Sequence, residues 1–279
     1  CLTAPFIDVG SKAAAATIPV GQITLARFIV QGAIMLPVLL VMGLSLRIPR
    51  ASLGRLILRG IYLIVSTYCF VAAVQVMPIA DALAIAFVMP FVMLLLGKFV
   101  LGEEVGPHRL WASVVGFAGT LLVIQPNFAE VGAPALLPVG VAVIFALFML
   151  VTRQIAKEVD PVALQAVSGL QASAILLPVL VFLPDLPGSG LASFDLTTGW
   201  LLLALGSVGT AAHLLMTWSL RFAPASTLAP MQYLEIPFGT VIGWLIFRDL
   251  PTGLAALGIL VTIGAGLYII LRERRLARS

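Results

Sequence analysis

Glu235 is the residue whose position most needs a chemical explanation. It stands eleven residues after Pro224 and eleven before Ile246, in the middle of an apolar stretch. A charge at the centre of a bilayer costs about 2.5–3.5 kcal/mol on insertion scales, so it needs a partner or a task. Gln232 precedes it by three positions, and Gly239 and Gly243 follow at four-residue spacing. On a helix this makes one face polar and then small, able to pack closely against neighbours. There Glu235 can bind an amine or carry a coupling proton; the structural alternative is a hydrogen bond to another helix.

His213 shares a helical face with Gly206, Thr210 and Thr217. Imidazole ordinarily titrates near neutrality, which makes His213 a second candidate for proton coupling; an interior histidine held by hydrogen bonds is the alternative. His108 reads as interfacial. Ser168 and Gln171 lie three apart and Tyr68 and Gln75 seven apart, so each pair can face one direction and hydrogen-bond a zwitterion or a neighbouring helix. Asp8 and Lys12, four apart, can neutralise one another or stand at an outer mouth. The candidate solute-binding set is Glu235, Gln232, Tyr68, Gln75, Ser168, Gln171, His213 and Lys12, with Glu235 and His213 the proton-coupling candidates. No metal or cofactor is expected. Cys1 and Cys69 lack paired spacing, the two histidines fall on different segments, and neither a nucleophile with its base nor a phosphate loop is visible. Enzyme chemistry is therefore not expected.

These residues must be held by membrane helices. Of 279 residues, 61% are hydrophobic and 10% charged, whereas soluble domains are about a quarter charged. Nine segments reach the length needed to cross lipid, near 20–44, 53–76, 78–100, 107–126, 135–156, 161–183, 197–220, 224–246 and 251–271. Leu2 to Thr17 reads as a truncated first helix, bringing the expected total to ten. The expectation is an all-α polytopic membrane protein. No cleavable signal peptide is expected. The net charge of +4 does not indicate a nucleic-acid partner, because the basic residues sit in short loops.

Lys and Arg recur at every second connection. Arg47, Arg50, Arg55 and Arg59 flank the second; Lys98 and Arg109 the fourth; Arg153 and Lys157 the sixth; Arg221 the eighth; Arg272, Arg274, Arg275 and Arg278 form the tail. Only Arg248 breaks the pattern, which places both termini in the cytoplasm. Trp111 and Trp218 fall near inner ends, and Trp200 and Trp244 near outer ends, as an aromatic belt would. Pro37, Pro90, Pro178 and Pro237 lie inside spans, where each removes a helix hydrogen bond and predicts a kink.

An internal repeat gives these spans a functional meaning. Met77-Pro78-Ile79-Ala80-Asp81-Ala82 resembles Ala223-Pro224-Ala225-Ser226-Thr227-Leu228. Each leads through a proline-containing helix, Pro90 or Pro237, to an acidic turn, Leu101-Gly102-Glu103 or Phe247-Arg248-Asp249. A duplicated unit of five spans enters the membrane from opposite sides, giving the inverted repeats on which alternating access is commonly built. The expected units are 1–126 and 135–271, followed by a basic cytoplasmic tail at 272–279. The alternatives are a channel, although the filter or charged ring expected of one is not visible, and a non-transporting scaffold or receptor.

With Ala26-Arg27-Phe28, Pro78-Ile79-Ala80-Asp81-Ala82, Leu101-Gly102-Glu103, Pro224-Ala225, Pro237 and Arg248-Asp249, the chain resembles the drug/metabolite transporter superfamily, in particular its EamA-type members. The resemblance spans essentially the whole chain. It implies ten helices in two inverted five-helix repeats. It also implies movement of small metabolites such as amino acids, commonly outward, across a bacterial inner membrane. The sequence departs from the family pattern at Arg248-Asp249, where Gly-Glu is more usual, and has no counterpart of Arg27 in the 161–183 span.

Overall fold

The computed structural model describes residues 4–44, 49–125, 132–186, 188–238 and 253–276. Its helices are α1 (Ala4–Ala15), α2 (Val20–Val41), α3 (Leu53–Val76), α4 (Ile79–Ala86), α5 (Met89–Leu101), α6 (Pro107–Ile124), α7 (Leu136–Ile155), α8 (Pro161–Phe182), α9 (Leu196–Phe222), α10 (Ala225–Leu228) and α11 (Leu254–Leu276). Among the described residues there is no strand. Eight stretches are long and apolar enough to cross a membrane, with α4 and α5 sharing one of them, Asp81–Leu101. The protein is a multi-pass membrane protein. The sequence predicted ten crossings. α1 has only 12 residues, and the 224–246 segment is described only as far as residue 238.

Local sequence explains the boundaries. Pro107 and Pro161 occupy the first turns of α6 and α8, where no intrahelical donor is required. Asp160 Oδ1 caps α8 by accepting from Val162 N at 2.8 Å, and Asp195 Oδ1 caps α9 by accepting from Thr198 N at 2.9 Å. Gly102 ends α5 in the left-handed region at φ +64°, which glycine adopts without a Cβ penalty. Outward faces are apolar: Val41, Leu196 and Phe222 are 88%, 77% and 80% exposed, as lipid-facing residues are. Trp111, Trp200 and Trp218 are also exposed rather than packed between helices; Trp244 lies outside the described residues.

The predicted proline kinks divide into two classes. Pro37 and Pro178 lie inside α2 and α8, which stay continuous. The chain breaks instead in two places. One is Phe87–Val88, between α4 and α5, just before Pro90. The other is the 3-10 segment Pro230–Leu234 that follows α10. Phe87 and Tyr233 are buried at the two breaks, and Tyr233 Oη donates to the Phe87 carbonyl at 3.1 Å, fastening one to the other.

The most extensive helix pairings are α6 with α11, α2 with α8 and α3 with α7, followed by α2 with α9 and by α7 with α5. The first two crossings are close because glycines meet. A Cβ on Gly169 of α8 would lie 2.7 Å from Gly32 N of α2, and one on Gly258 of α11 would lie 2.6 Å from the Gly119 carbonyl oxygen of α6. Such small-residue contacts let backbones approach where lipid supplies no hydrophobic drive between helices.

Polar contacts join one end of the bundle. Arg55 pairs with Glu158 at 3.1 Å, Arg221 with Asp160 at 3.6 Å, Arg153 with Glu103 at 3.8 Å and Arg109 with Glu273 at 3.0 Å. Glu103 also accepts from Ala225 N at 3.1 Å and Ser226 N at 2.9 Å, and Arg153 donates to the Leu220 and Arg221 carbonyls. Arg59, grouped by sequence with the flanks of the second connection, does not belong to this end. It lies inside α3 and is fully buried, because hydroxyls on three other helices satisfy its donors. Arg47, Arg248 and Arg278 lie outside the described residues.

Candidate functional site

A central cavity of about 530 Å3 is walled by α1, α2, α3, α4, α5, α7, α9, α10 and the broken segment 230–238. That volume lies within the usual range of small-molecule sites, about 300–1,000 Å3. Much of the wall is aromatic or thioether, including Phe70, Phe87, Phe145, Phe238, Met149 and Met216. The polar groups are few: Asp8, Arg27, Ser66, Thr67, His213, Ser219, Gln232 and Glu235. An apolar cavity with sparse polar groups favours a solute whose body is apolar and whose orientation is fixed at a few points.

Three sequence-predicted residues meet in this cavity: Glu235, Gln232 and His213. Glu235 begins a helical turn directly after the 3-10 segment, so the break and not a continuous helix sets its direction. It makes no hydrogen bond to another described residue. Gly239 and Gly243, expected to continue its face, lie outside the described residues. Gln232 Nε2 donates to Met93 Sδ at 2.9 Å and Met149 Sδ at 3.3 Å. Thioethers are weak acceptors, so a better acceptor on a solute can replace them. His213 leaves Nδ1 buried without a partner. Its ring meets Phe148 edge-on with centroids 5.8 Å apart, while its carbonyl accepts from Gln165 and Thr217.

The other five predicted residues lie elsewhere. Lys12 Nζ donates to the Val74 and Met77 carbonyls at 3.0 and 2.9 Å. These belong to the last turn of α3, whose carbonyls lack helical donors, so the ammonium caps a helix end and does not neutralise Asp8. Gln75 Nε2 donates to the Ala15 carbonyl at 3.2 Å, Gln171 Nε2 to the Ile57 carbonyl at 3.1 Å, and Ser168 Oγ accepts from Arg59. Tyr68 reaches the 183–195 connection, its hydroxyl 2.6 Å from where a Cβ on Gly188 would stand. Each of these polar groups bonds between helices or packs beside a connection, the alternative that the sequence left open.

Two charged cavity residues, Asp8 and Arg27, were absent from the predicted set, as were Ser66, Thr67 and Ser219. The sequence brings in Arg27 only through the family resemblance, and Asp8 only beside Lys12, as its partner or at an outer mouth. The cost argument that singled out Glu235 applies equally to an arginine well inside α2 and an aspartate inside α1, and would have found both. Among the described residues, no group of three His, Cys, Asp or Glu side chains is arranged to hold a metal.

The family model of EamA-like transporters matches residues 1–125 and 133–272. This chain belongs to the EamA-like transporter family. Its curated relatives are named transporters of the drug/metabolite type. It is 31% identical over 216 residues to a riboflavin transporter of Rhizobium johnstonii, covering 75% of this chain and 68% of the relative. It is 24% identical to an S-adenosylmethionine uptake transporter of Rickettsia prowazekii, over 98% of this chain and 90% of the relative. A pseudopaline exporter of Pseudomonas aeruginosa is 25% identical, over 96% and 89%. A crystal structure of a protein at 20% identity shares the fold, with a TM-score of 0.78 covering 99% of this EamA-like chain and 97% of its own. The central cavity thus lies in a transporter of small metabolites.

Proposed function

We propose that this EamA-like transporter moves an amino acid or similar zwitterionic metabolite outward across a bacterial inner membrane by alternating access. Its two five-helix units, 1–126 and 135–271, are read as inverted repeats, with both termini and the basic tail 272–279 in the cytoplasm. The observation that carries this reading is the central cavity, where Glu235, Gln232 and His213 converge among apolar walls.

Helix pairing supports the repeat. Exchange of the two five-span units maps the α6–α11 and α2–α8 pairings onto themselves. It maps α3–α7 onto α9–α1, and α3–α8 onto α9–α2; all of these are packed pairs. The Gly32–Gly169 and Gly119–Gly258 contacts fall on the two self-paired crossings, where a twofold line would pass. The breaks at Phe87–Val88 and Pro230–Leu234 also occupy corresponding spans. Two family matches of similar length, 1–125 and 133–272, fit the same duplication. Such halves can exchange conformations of similar energy around a shared site.

Counterflow in proteoliposomes tests the mechanism. Saturable exchange of an amino acid supports it, whereas conductance far above transporter turnover indicates a channel and no flux indicates a scaffold. Coupling is tested separately at Glu235, because Glu235→Gln should abolish the pH dependence of transport while leaving expression intact. Unchanged pH-dependent transport by that variant rejects Glu235 as the proton carrier.

A further inference from the structure

Asp8 and Arg27 are buried charges that the protein brings to the cavity and does not consume. Their side chains belong to residues 8% and 9% exposed. Asp8 Oδ2 is buried without a hydrogen-bond partner, and the Arg27 guanidinium makes no hydrogen bond to a described residue, packing instead over Gly209. Asp8 lies within electrostatic reach of both Arg27 and Glu235. Yet among the described residues no ion pair within 4 Å includes Asp8 or Arg27. A buried guanidinium and carboxylate left free to move would close on each other, because each is costly alone. Here they are carried by different helices, α1 and α2, and both line the cavity without forming an ion pair.

We propose that Asp8 and Arg27 are the two poles of a zwitterion receptor. Arg27 takes the carboxylate of the solute, and Asp8, with Glu235 nearby, takes its ammonium group. The aromatic and methionine wall, including Phe87, Phe145, Met149 and Met216, then holds a large apolar side chain. A guanidinium is suited to the carboxylate end because its planar donors match two carboxylate oxygens. This inference rests on the transporter reading above and narrows the solute to an amino acid with a bulky apolar side chain. Arg27 and Asp8 become its specificity-determining residues.

The test is counterflow of labelled compounds at one fixed pH by the full chain in proteoliposomes. Tryptophan carries both poles, tryptamine lacks the carboxylate, and indole-3-propionate lacks the amine; riboflavin, which carries neither pole, serves as an unrelated solute. Wild type should exchange tryptophan with an apparent affinity at least about tenfold better than either single-pole indole, because each missing pole leaves a buried charge unanswered. Arg27→Gln should bring tryptophan and tryptamine within about twofold of each other while preserving the gap to indole-3-propionate. Asp8→Asn should do the reverse, and Arg27→Lys should keep the wild-type order. These ratios compare solutes on one sample and do not depend on how much of a variant is inserted. If a variant does not insert, the wild-type ratios still decide. A single-pole indole that matches tryptophan on wild type overturns the inference, as do variants that weaken all three indoles equally. Exchange of riboflavin with none of the indoles overturns it while sparing alternating-access transport. Exchange of no compound fells both.

Discussion

Arg27 and Arg59 are both arginines inside the bundle, and the protein treats them oppositely. Arg59 Nε donates to Thr152 Oγ1 at 2.9 Å, Nη1 to Ser168 Oγ, and Nη2 to Thr217 Oγ1 at 3.5 Å, while its guanidinium carbon stands 4.8 Å from the centre of the Phe148 ring. Arg27 meets no such set and lines the cavity. A buried charge whose donors are spent on its own chain ties helices together. One whose donors are unspent faces whatever enters. The lesson extends to Ser168: its hydroxyl is engaged by Arg59 and lies outside the cavity lining.

The sharpest way to break this contrast is to remove Arg59. Arg59→Met should destabilise the protein by about 1–3 kcal/mol, the usual cost of a disrupted buried hydrogen-bond network, lowering its melting temperature in detergent and all transport together. If that variant melts like wild type but loses solute selectivity, Arg59 faces the solute and the contrast fails. Arg27→Gln should instead keep the wild-type melting temperature and weaken the apparent affinity for a zwitterion about tenfold, equivalent to about 1.4 kcal/mol. A large fall in its melting temperature would assign Arg27 to the structural class.

Packing offers a smaller contrast. Gly169→Ala must displace backbone of α2, whereas a Cβ at Gly264 meets nothing within 4 Å. Gly169→Ala should therefore lower the melting temperature relative to Gly264→Ala, and equal melting would remove the close crossing from the account. The smallest effect is expected at the ionic end. The Ser52 hydroxyl, followed by Arg55, holds the exposed Glu158 carboxyl below its ordinary value. A lowered folded value means that the stabilisation is complete above the ordinary carboxylate range and is lost as pH falls through the lowered value. Ser52→Ala should slightly lower the melting temperature at neutral pH and make its acid-side decline shallower; superimposable profiles would show that the contact contributes nothing.

The membrane class was legible because apolar runs and basic punctuation are properties of residue type alone. Glu235 was legible because its isolation in an apolar run carries a cost wherever the chain goes. The positions of Ser168, Gln171, Gln75 and Lys12 were not, because spacing on one helix says which residues share a face and not which neighbour that face meets. Lys12 shows this plainly: Asp8 is four residues away in sequence, but the bare carbonyls at the end of α3 are its partners. Arg59 shows it from the other side, since a position close to a basic connection concealed a side chain drawn inward by three hydroxyls. The sequence predicts a kink at Pro237, whereas the described irregularity begins at Pro230, as a proline that opens a tight turn permits.

Alternating access through the cavity is tested most directly at Ala212, a small residue of its lining. In a background with Cys1 and Cys69 replaced, Ala212→Cys can be probed with an impermeant thiol reagent from each side of oriented vesicles. The account predicts that the cysteine reacts from one face, that a transported solute shifts reactivity toward the other, and that bound solute slows labelling. Free reaction from both faces under every condition, or no reaction from either, would contradict it.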